Sequence, residues 1–123
     1  MENKPFVEIP TQTGREIINP EELISIVASN KTIILCLENQ EEKKVNLPFG
    51  KALELFNHPF MVKCHRSHII NILKVKEILC KQKKIKLTNG KLLPISENCK
   101  KEFEQRLSAF CKCKGGGNVL VIN

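Results

Sequence analysis

The segment Phe60-Met61-Val62-Lys63-Cys64-His65-Arg66-Ser67-His68-Ile69-Ile70-Asn71 holds the densest group of chemically capable side chains in the chain. Its ends are apolar and strand-like, and its centre places Lys63, His65, Arg66, Ser67 and His68 together. Such donors at a strand end suit phosphates and base edges. The Arg66 guanidinium can grip guanine through O6 and N7, or a phosphate, with two parallel hydrogen bonds. The Ser67 hydroxyl can donate to a phosphate oxygen. The same residues also suit a plain polar turn, with Ser67 capping a helical turn and His68 packed inward. Residue type alone leaves both readings standing.

Six cysteines, Cys36, Cys64, Cys80, Cys99, Cys111 and Cys113, offer a second chemistry. The start, Met1-Glu2-Asn3-Lys4-Pro5, lacks the basic and apolar stretches of a signal peptide, so a cytoplasmic protein with reduced thiols is expected. Lys63 and His65 beside Cys64 would favour a thiolate. Cys111-x-Cys113 amid lysines would suit a soft metal or a redox pair, but four zinc ligands need a second pair at matching spacing, and the chain has none. The favoured reading makes Cys36, Cys64, Cys80 and Cys99 small core hydrophobes. No metal and no cofactor is expected. An enzyme is not expected either. Adjacent strand residues point to opposite faces, which separates Cys64 from His65 as nucleophile and base. The chain contains no Asp, one half of the usual carboxylate inventory. Gly115–Gly117 lacks the following Lys-Ser/Thr of a phosphate loop.

Short alternating segments must position these groups. Phe6–Ile9 and Arg15–Ile18 flank Thr13-Gly14 as a first hairpin. Leu23–Ala28 is a third strand, and Thr32–Leu37 and Lys43–Leu47 flank the polar stretch Glu38–Glu42. Phe49, Ala52, Leu53 and Phe56 recur on one face of a short helix, with Pro48 in its first turn and Asn57-His58-Pro59 ending it. Phe60–Cys64 alternates again, Ser67–Ile72 is apolar, and Val75–Leu79 is a strand. Ile85 and Leu87 then lead through Asn89-Gly90 into Lys91–Ile95, a hairpin signal that places both turn residues at positive φ. Ser96 N-caps a second helix from about Glu97 to Phe110, with Cys99, Phe103, Leu107 and Phe110 as its apolar stripe and Lys100 and Lys101 toward solvent. Eight or nine strands and two short helices make the chain mainly β. One domain is expected over residues 1–110, followed by a flexible Cys/Lys/Gly tail over residues 111–123.

Charge is unevenly distributed. Residues 1–62 carry six Lys/Arg against nine Glu, and residues 63–123 fourteen against four, so an overall +7 resolves into −3 and +10. A basic half in a small domain is the electrostatic footprint of a polyanion partner. The chain has no Trp and no Tyr, which thins the stacking platforms of single-strand binders. No apolar run reaches the roughly 18–20 residues that span a bilayer, so no membrane partner is expected.

The segment around His65 resembles the signature of the LytTR DNA-binding domain, in which a short helix precedes a strand reading roughly Arg-x-His-Arg-Ser-x-x-Val-Asn. His65, Arg66, Ser67 and Asn71 stand in register behind Phe60, with Lys63 for the first Arg and Ile70 for the Val. Thr88-Asn89-Gly90-Lys91-Leu92-Leu93-Pro94-Ile95-Ser96 matches the family's later hairpin and its Pro-hydrophobic-Ser step into the last helix. Leu23–Leu37 is similar to its two earlier strands. The resemblance covers about residues 15–108.

It implies an elongated, mainly β arrangement of small antiparallel sheets with two short helices. It also implies a bacterial transcription regulator of the response-regulator type, reading successive major grooves of duplex DNA with loops. The target implied is a pair of imperfect direct repeats, one domain on each, with a homodimer on DNA. Three places would carry the contacts: Ser29-Asn30-Lys31, His65-Arg66-Ser67 with Lys63, and the start of the last helix. There Glu97 stands where the family has Arg, so Asn98, Lys100 and Lys101 are the residues able to take over its contact. An RNA or single-strand binding module and a thiol-responsive module are the competing expectations.

Overall fold

Apolar alternation drives this chain into strands, and one sheet divides most of the buried side chains between its two faces. The computed structural model describes residues 5–111. Strands β1 (Val7–Pro10) and β2 (Arg15–Ile18) pair as a hairpin. A 3-10 turn over Pro20–Glu22 follows, its Glu21 N–H donating to the Asn19 side chain. Then come β3 (Leu23–Ser29), β4 (Thr32–Leu37), β5 (Glu42–Val45), helix α1 (Phe49–Leu55), β6 (Met61–His65) and β7 (His68–Asn71). These five strands form one antiparallel sheet in the order β5-β4-β3-β7-β6. A second 3-10 turn, Ile72–Lys74, leads into β8 (Val75–Leu79), β9 (Lys84–Leu87) and β10 (Leu92–Pro94), a three-stranded antiparallel sheet, and helix α2 (Glu97–Ser108) closes the described chain.

The expected mainly β architecture is therefore observed, with ten strands among the described residues rather than eight or nine. The apolar stretch after Ser67 is a strand in its own right, and Pro94 is accommodated because β10 is an edge. On one face of the large sheet, Ile26, Ile33, Leu35 and Ile69 pack with Val7, Ile9 and Ile18 of the hairpin and Ala52 and Phe56 of α1. On the other, Ile24, Val62, Cys64 and Ile70 meet Ile85, Leu87 and Leu93 of the small sheet and Phe103 of α2. Phe103 is the one fully buried residue of α2. Burying such a side chain contributes on the order of 1.5–3 kcal/mol, which seats the helix.

Several local expectations are corrected. Phe110 is exposed because α2 ends at Ser108, so the fourth residue of its stripe turns away from the sheet. Phe6 precedes β1 and is exposed. Of the cysteines expected in the core, Cys36 and Cys64 are buried, Cys99 is half-buried and Cys80 is exposed on a turn. In the Asn-Gly hairpin only Gly90 has positive φ, at 89°. Gly90 N–H donates to Leu87 C=O, and Leu87 N–H to Lys91 C=O, so the loop has three residues with glycine at the left-handed position instead of the two-residue turn expected. The expected tail lies outside the described residues except for Cys111, which is exposed.

Asn71 joins the two sheets. It is fully buried, its Nδ2 donates to Leu23 C=O at 2.9 Å, and its Oδ1 accepts from Leu73 N–H at 2.9 Å. The first bond ties the end of β7 to the start of β3, beside the register shift in the β3–β4 pairing between Leu23 and Ser25. The second caps the 3-10 turn that leads to the small sheet. Asn71→Ala strands both partners, and each buried group left unpaired costs about 1–3 kcal/mol. Asn71→Asp keeps the acceptor and loses the donor, so it is expected to destabilise as well, through the Leu23 carbonyl. Urea unfolding of both variants checks this; a change within about 0.5 kcal/mol for Asn71→Ala would show that the amide is not a structural tie.

Candidate nucleic-acid interface

Three separate stretches of sequence meet at one end of the molecule. The β3–β4 connection is the two-residue turn Asn30-Lys31, closed by the Ser29–Thr32 pair and by Thr32 Oγ1 donating to Ser29 C=O at 2.8 Å. Asn30 has φ 57°, a conformation asparagine tolerates better than most residues. Next to it, the β6–β7 connection is Arg66-Ser67, closed by the His65–His68 pair. Ala28 N–H donates to Ser67 C=O at 2.9 Å, which holds the two turns side by side. The third stretch arrives through α2. Ser96 caps it, accepting from Cys99 N–H at 3.3 Å, while Ser96 N–H donates to Cys64 C=O at 2.9 Å. At the far end of α2, Arg106 donates to Met61 C=O and Pro59 C=O. The helix thus runs antiparallel to β6, with its start beside His65.

The register of β6 against β7 shifts between Lys63 and His65, and this bulge separates their side chains. Cys64 enters the core, His65 joins the turn, and Lys63 is left in a groove lined by Leu53, Phe56, Met61, Glu102 and Arg106. Lys63 is the one candidate that the structure does not bring to the turns. Asn30, Lys31, Arg66, Glu97, Asn98, Lys100 and Lys101 are exposed there, and His65 and Ser67 are half-buried.

The histidines define the proton pattern of the β6–β7 turn. Ser67 N–H donates to His65 Nδ1 at 3.3 Å. Ser67 Oγ lies 3.1 Å from that nitrogen and 3.2 Å from His68 Nδ1, and the two Nδ1 atoms are 3.4 Å apart. Accepting a backbone N–H requires a lone pair on His65 Nδ1, so the neutral ring carries its proton on Nε2. No described residue bonds that nitrogen, and it is not buried. His65 therefore presents an N–H donor outward. Burial pushes the His68 pKa down from its ordinary 6.5, and the neighbouring His65 lowers it further.

Glu97 does not stand alone. Lys83 Nζ lies 3.0 Å from its carboxylate, and this hydrogen bond, followed by the charges of Lys83 and Lys100, holds its pKa below the ordinary carboxylate value. Lys83 belongs to the β8–β9 turn, which carries Lys81 too and is followed by Lys84 at the start of β9. Sequence reasoning passed over this turn, counting its lysines only in the overall surplus. Their spacing between two strands was the available signal.

Electrostatically the two ends of the molecule differ. Lys31, Arg66, Lys81, Lys84, Lys100 and Lys101 pair with no carboxylate among the described residues. At the opposite end of β3 and β4 the lysines are matched: Lys74 with Glu38, Lys91 with Glu42, and Lys43 with Glu16 and Glu41. A cleft there is lined by Glu16, Glu22, Glu38 and Glu41 around Lys43.

Cys64 is the core hydrophobe of the favoured reading, and the alternative of a thiolate is overturned. The residue is fully buried, and desolvation pushes its pKa up to about 12, with Cys99 adding to the shift. Its Lys63 and His65 neighbours point elsewhere, so the thiol is inert.

A small mainly β domain with a cationic row of turns at one end is the architecture of a module that meets a polyanion through loops. A family profile for the LytTr DNA-binding domain matches residues 14–108, and the chain belongs to this family. The fold is similar to that of the LytTr DNA-binding domain of a methyl-accepting/DNA response regulator from Bacillus cereus. The TM-score is 0.70 and the identity 20%, over 85% of this chain and 98% of that one. No curated protein matches the chain. No helix among the described residues is long and apolar enough to cross a membrane.

Two outcomes follow from the titrating groups. The folded pKa of His68 lies below the ordinary 6.5, so the unfolded chain takes up its proton first. The stability this contributes is fully present above about 6.5 and is lost as pH falls through the lower folded value. His58, whose pKa burial also lowers, acts in the same direction. The melting temperature is expected to fall from about pH 7.5 to about pH 5.5, and His68→Asn to flatten that fall; identical slopes for both proteins would exclude His68 as a contributor. For the thiols, an alkylating reagent on the native protein is expected to modify exposed Cys80 and leave Cys64 untouched until denaturant is added. Native labelling of Cys64, read by peptide mass, would contradict the burial argument.

Proposed function

We propose that the chain is a bacterial, cytoplasmic, non-catalytic transcription regulator that binds specific duplex DNA through its cationic end. The observation that carries this reading is the convergence of Asn30-Lys31, His65-Arg66-Ser67 and the start of α2, joined by backbone hydrogen bonds from Ala28 to Ser67 and from Ser96 to Cys64. Loops anchored in this way keep a fixed spacing, which reading a base sequence requires. Arg66, exposed at the tip of its turn, grips a guanine edge. His65 offers Nε2–H to an acceptor such as a purine N7. Asn30 and Lys31 form one flank, and Asn98, Lys100 and Lys101 the other, their cations neutralising phosphates. Lys63, in its groove, stays outside the contact set. By the family's pattern, two copies occupy imperfect direct repeats and associate as a homodimer on DNA. The Bacillus cereus neighbour, described as part of a DNA response regulator, accords with this role.

Selection from a random duplex library, followed by anisotropy titrations on the selected site, tests the reading. Arg66→Ala is expected to cost about 1–3 kcal/mol on the selected site and to relax preference at one base position, with His65→Ala acting similarly. Lys100→Ala and Lys101→Ala should weaken selected and random duplexes alike. No enrichment in the selection, or tighter binding of single strands than of duplex, would remove the proposal.

A further inference from the structure

The β8–β9 turn belongs to none of the three stretches that the sequence singles out. Its backbone is closed by Gln82 N–H donating to Leu79 C=O and Lys83 N–H to Cys80 C=O, with Lys83 in the left-handed region at φ 56°. That conformation is fixed from outside: Ile95 N–H donates to Lys83 C=O at 2.9 Å, and the Lys83 ammonium reaches Glu97 at 3.0 Å. Ser96 N–H then links to Cys64 C=O, one residue from His65. The turn is thus the next member of the row formed by the β3–β4 turn, the β6–β7 turn and the start of α2.

Its charges are arranged for a polyanion. Lys81 and Lys84 are exposed and pair with no carboxylate among the described residues. The turn at the other end of the same sheet behaves differently, because its Lys91 is bound to Glu42 at 2.9 Å. One sheet therefore has a turn whose lysine is neutralised and a turn flanked by bare lysines, and the bare turn abuts the candidate interface.

We propose that the β8–β9 turn, with the first residue of β9, is a fourth DNA-contacting element, in which Lys81 and Lys84 contact phosphates while Lys83 is held by Glu97. This rests on the DNA-binding reading above. The ligand groups are phosphates rather than bases, since lysine is a flexible point charge without the planar fork that reads an edge. The Lys83–Glu97 pair is exposed and contributes little stability, but it has no net charge. Glu97 consequently does not cancel the field of Lys81, Lys84, Lys100 and Lys101.

The test is the salt dependence of binding to duplex DNA. Each phosphate neutralised adds about 0.9 to the slope of log affinity against log salt, so Lys81→Ala combined with Lys84→Ala should lower the slope by about 2. Affinity should fall by the same factor on selected and random duplexes. Lys91→Gln, at the opposite end of the sheet, should leave the slope unchanged. Lys83→Met combined with Glu97→Gln, which alters no net charge, should also leave it unchanged. An unaltered slope in the first double variant, a loss confined to the selected site, or an equal loss from Lys91→Gln would each overturn the fourth contact. A slope lowered by Lys83→Met with Glu97→Gln would overturn the assignment of Lys83 to Glu97. All variants are exposed, and circular dichroism checks their folding. Wild type and Arg66→Ala, titrated in parallel, separate failure of this inference from failure of DNA binding itself.

Discussion

The buried amide of Asn71 is the constraint on which the rest depends. Strand β7 has apolar residues facing both ways, with Ile69 in one core and Ile70 in the other. In most strands a one-residue slip would drive polar side chains inward and be rejected. Here a slip puts one isoleucine in the place of the other and His68 or Asn71 in the second apolar position, so the polar ends of the strand specify its register more than the isoleucines do. Asn71 supplies what the isoleucines do not. Its bond to Leu23 C=O is satisfied in one alignment of β7 against β3, and in a slipped alignment the amide would be buried unpaired. The chosen register puts Val27 opposite His68 and lets Ser67 C=O accept from Ala28 N–H. A polar anchor at one end of a four-residue strand thereby places the turn at its other end.

Much of this was legible because it rests on short-range rules. Strand alternation, the Ser96 cap, and the helices around Ala52 and Phe103 all appear in the sequence where local chemistry dictates them. The residues of the β6–β7 turn were visible as a donor cluster because they are contiguous. What was not legible depends on register or on long-range pairing. The bulge at Cys64 sends Lys63 to one side and His65 to the other, and no alternation pattern announces it. The thiolate alternative for Cys64 came from its neighbours in sequence, whereas its neighbours in space, Ile24, Val62 and Ile70, agree with the favoured core reading. The Asn89-Gly90 pair announced a hairpin, yet loop length was settled by where Lys91 pairs. The lysines from Lys81 to Lys84 meant only surplus charge until Lys83 was found bonded to Ile95.

Charge follows the same logic. The division into an acidic first half and a basic second half does not map onto the molecule. Lys31 comes from the acidic half and lies at the cationic end, whereas Lys74 and Lys91 come from the basic half and lie at the other. The fold pairs these last two with Glu38 and Glu42, while Lys31, Arg66, Lys81, Lys100 and Lys101 at the other end meet no described carboxylate. A field concentrated at one end orients an approaching polyanion, which a diffuse surplus of the same size would not do.

Glu97 shows how a departure from a family pattern can leave the charge of a site intact. Taken alone, a carboxylate in place of arginine at the start of the last helix removes a cation and installs a repelling anion. The start of a helix, however, carries a partial positive charge that favours an acidic residue by about 0.3–1 kcal/mol, so Glu97 suits its own helix. Lys83 then supplies a full positive charge at 3.0 Å, from a turn held in place by the backbone of Ile95. The pair is neutral, and the flanking Lys100 and Lys101 stay unmatched by any described carboxylate. The planar donor fork of an arginine is absent at this position, while the positive charge around it is kept. The directional donors at this end of the molecule are those of the β3–β4 and β6–β7 turns, on Asn30, His65 and Arg66.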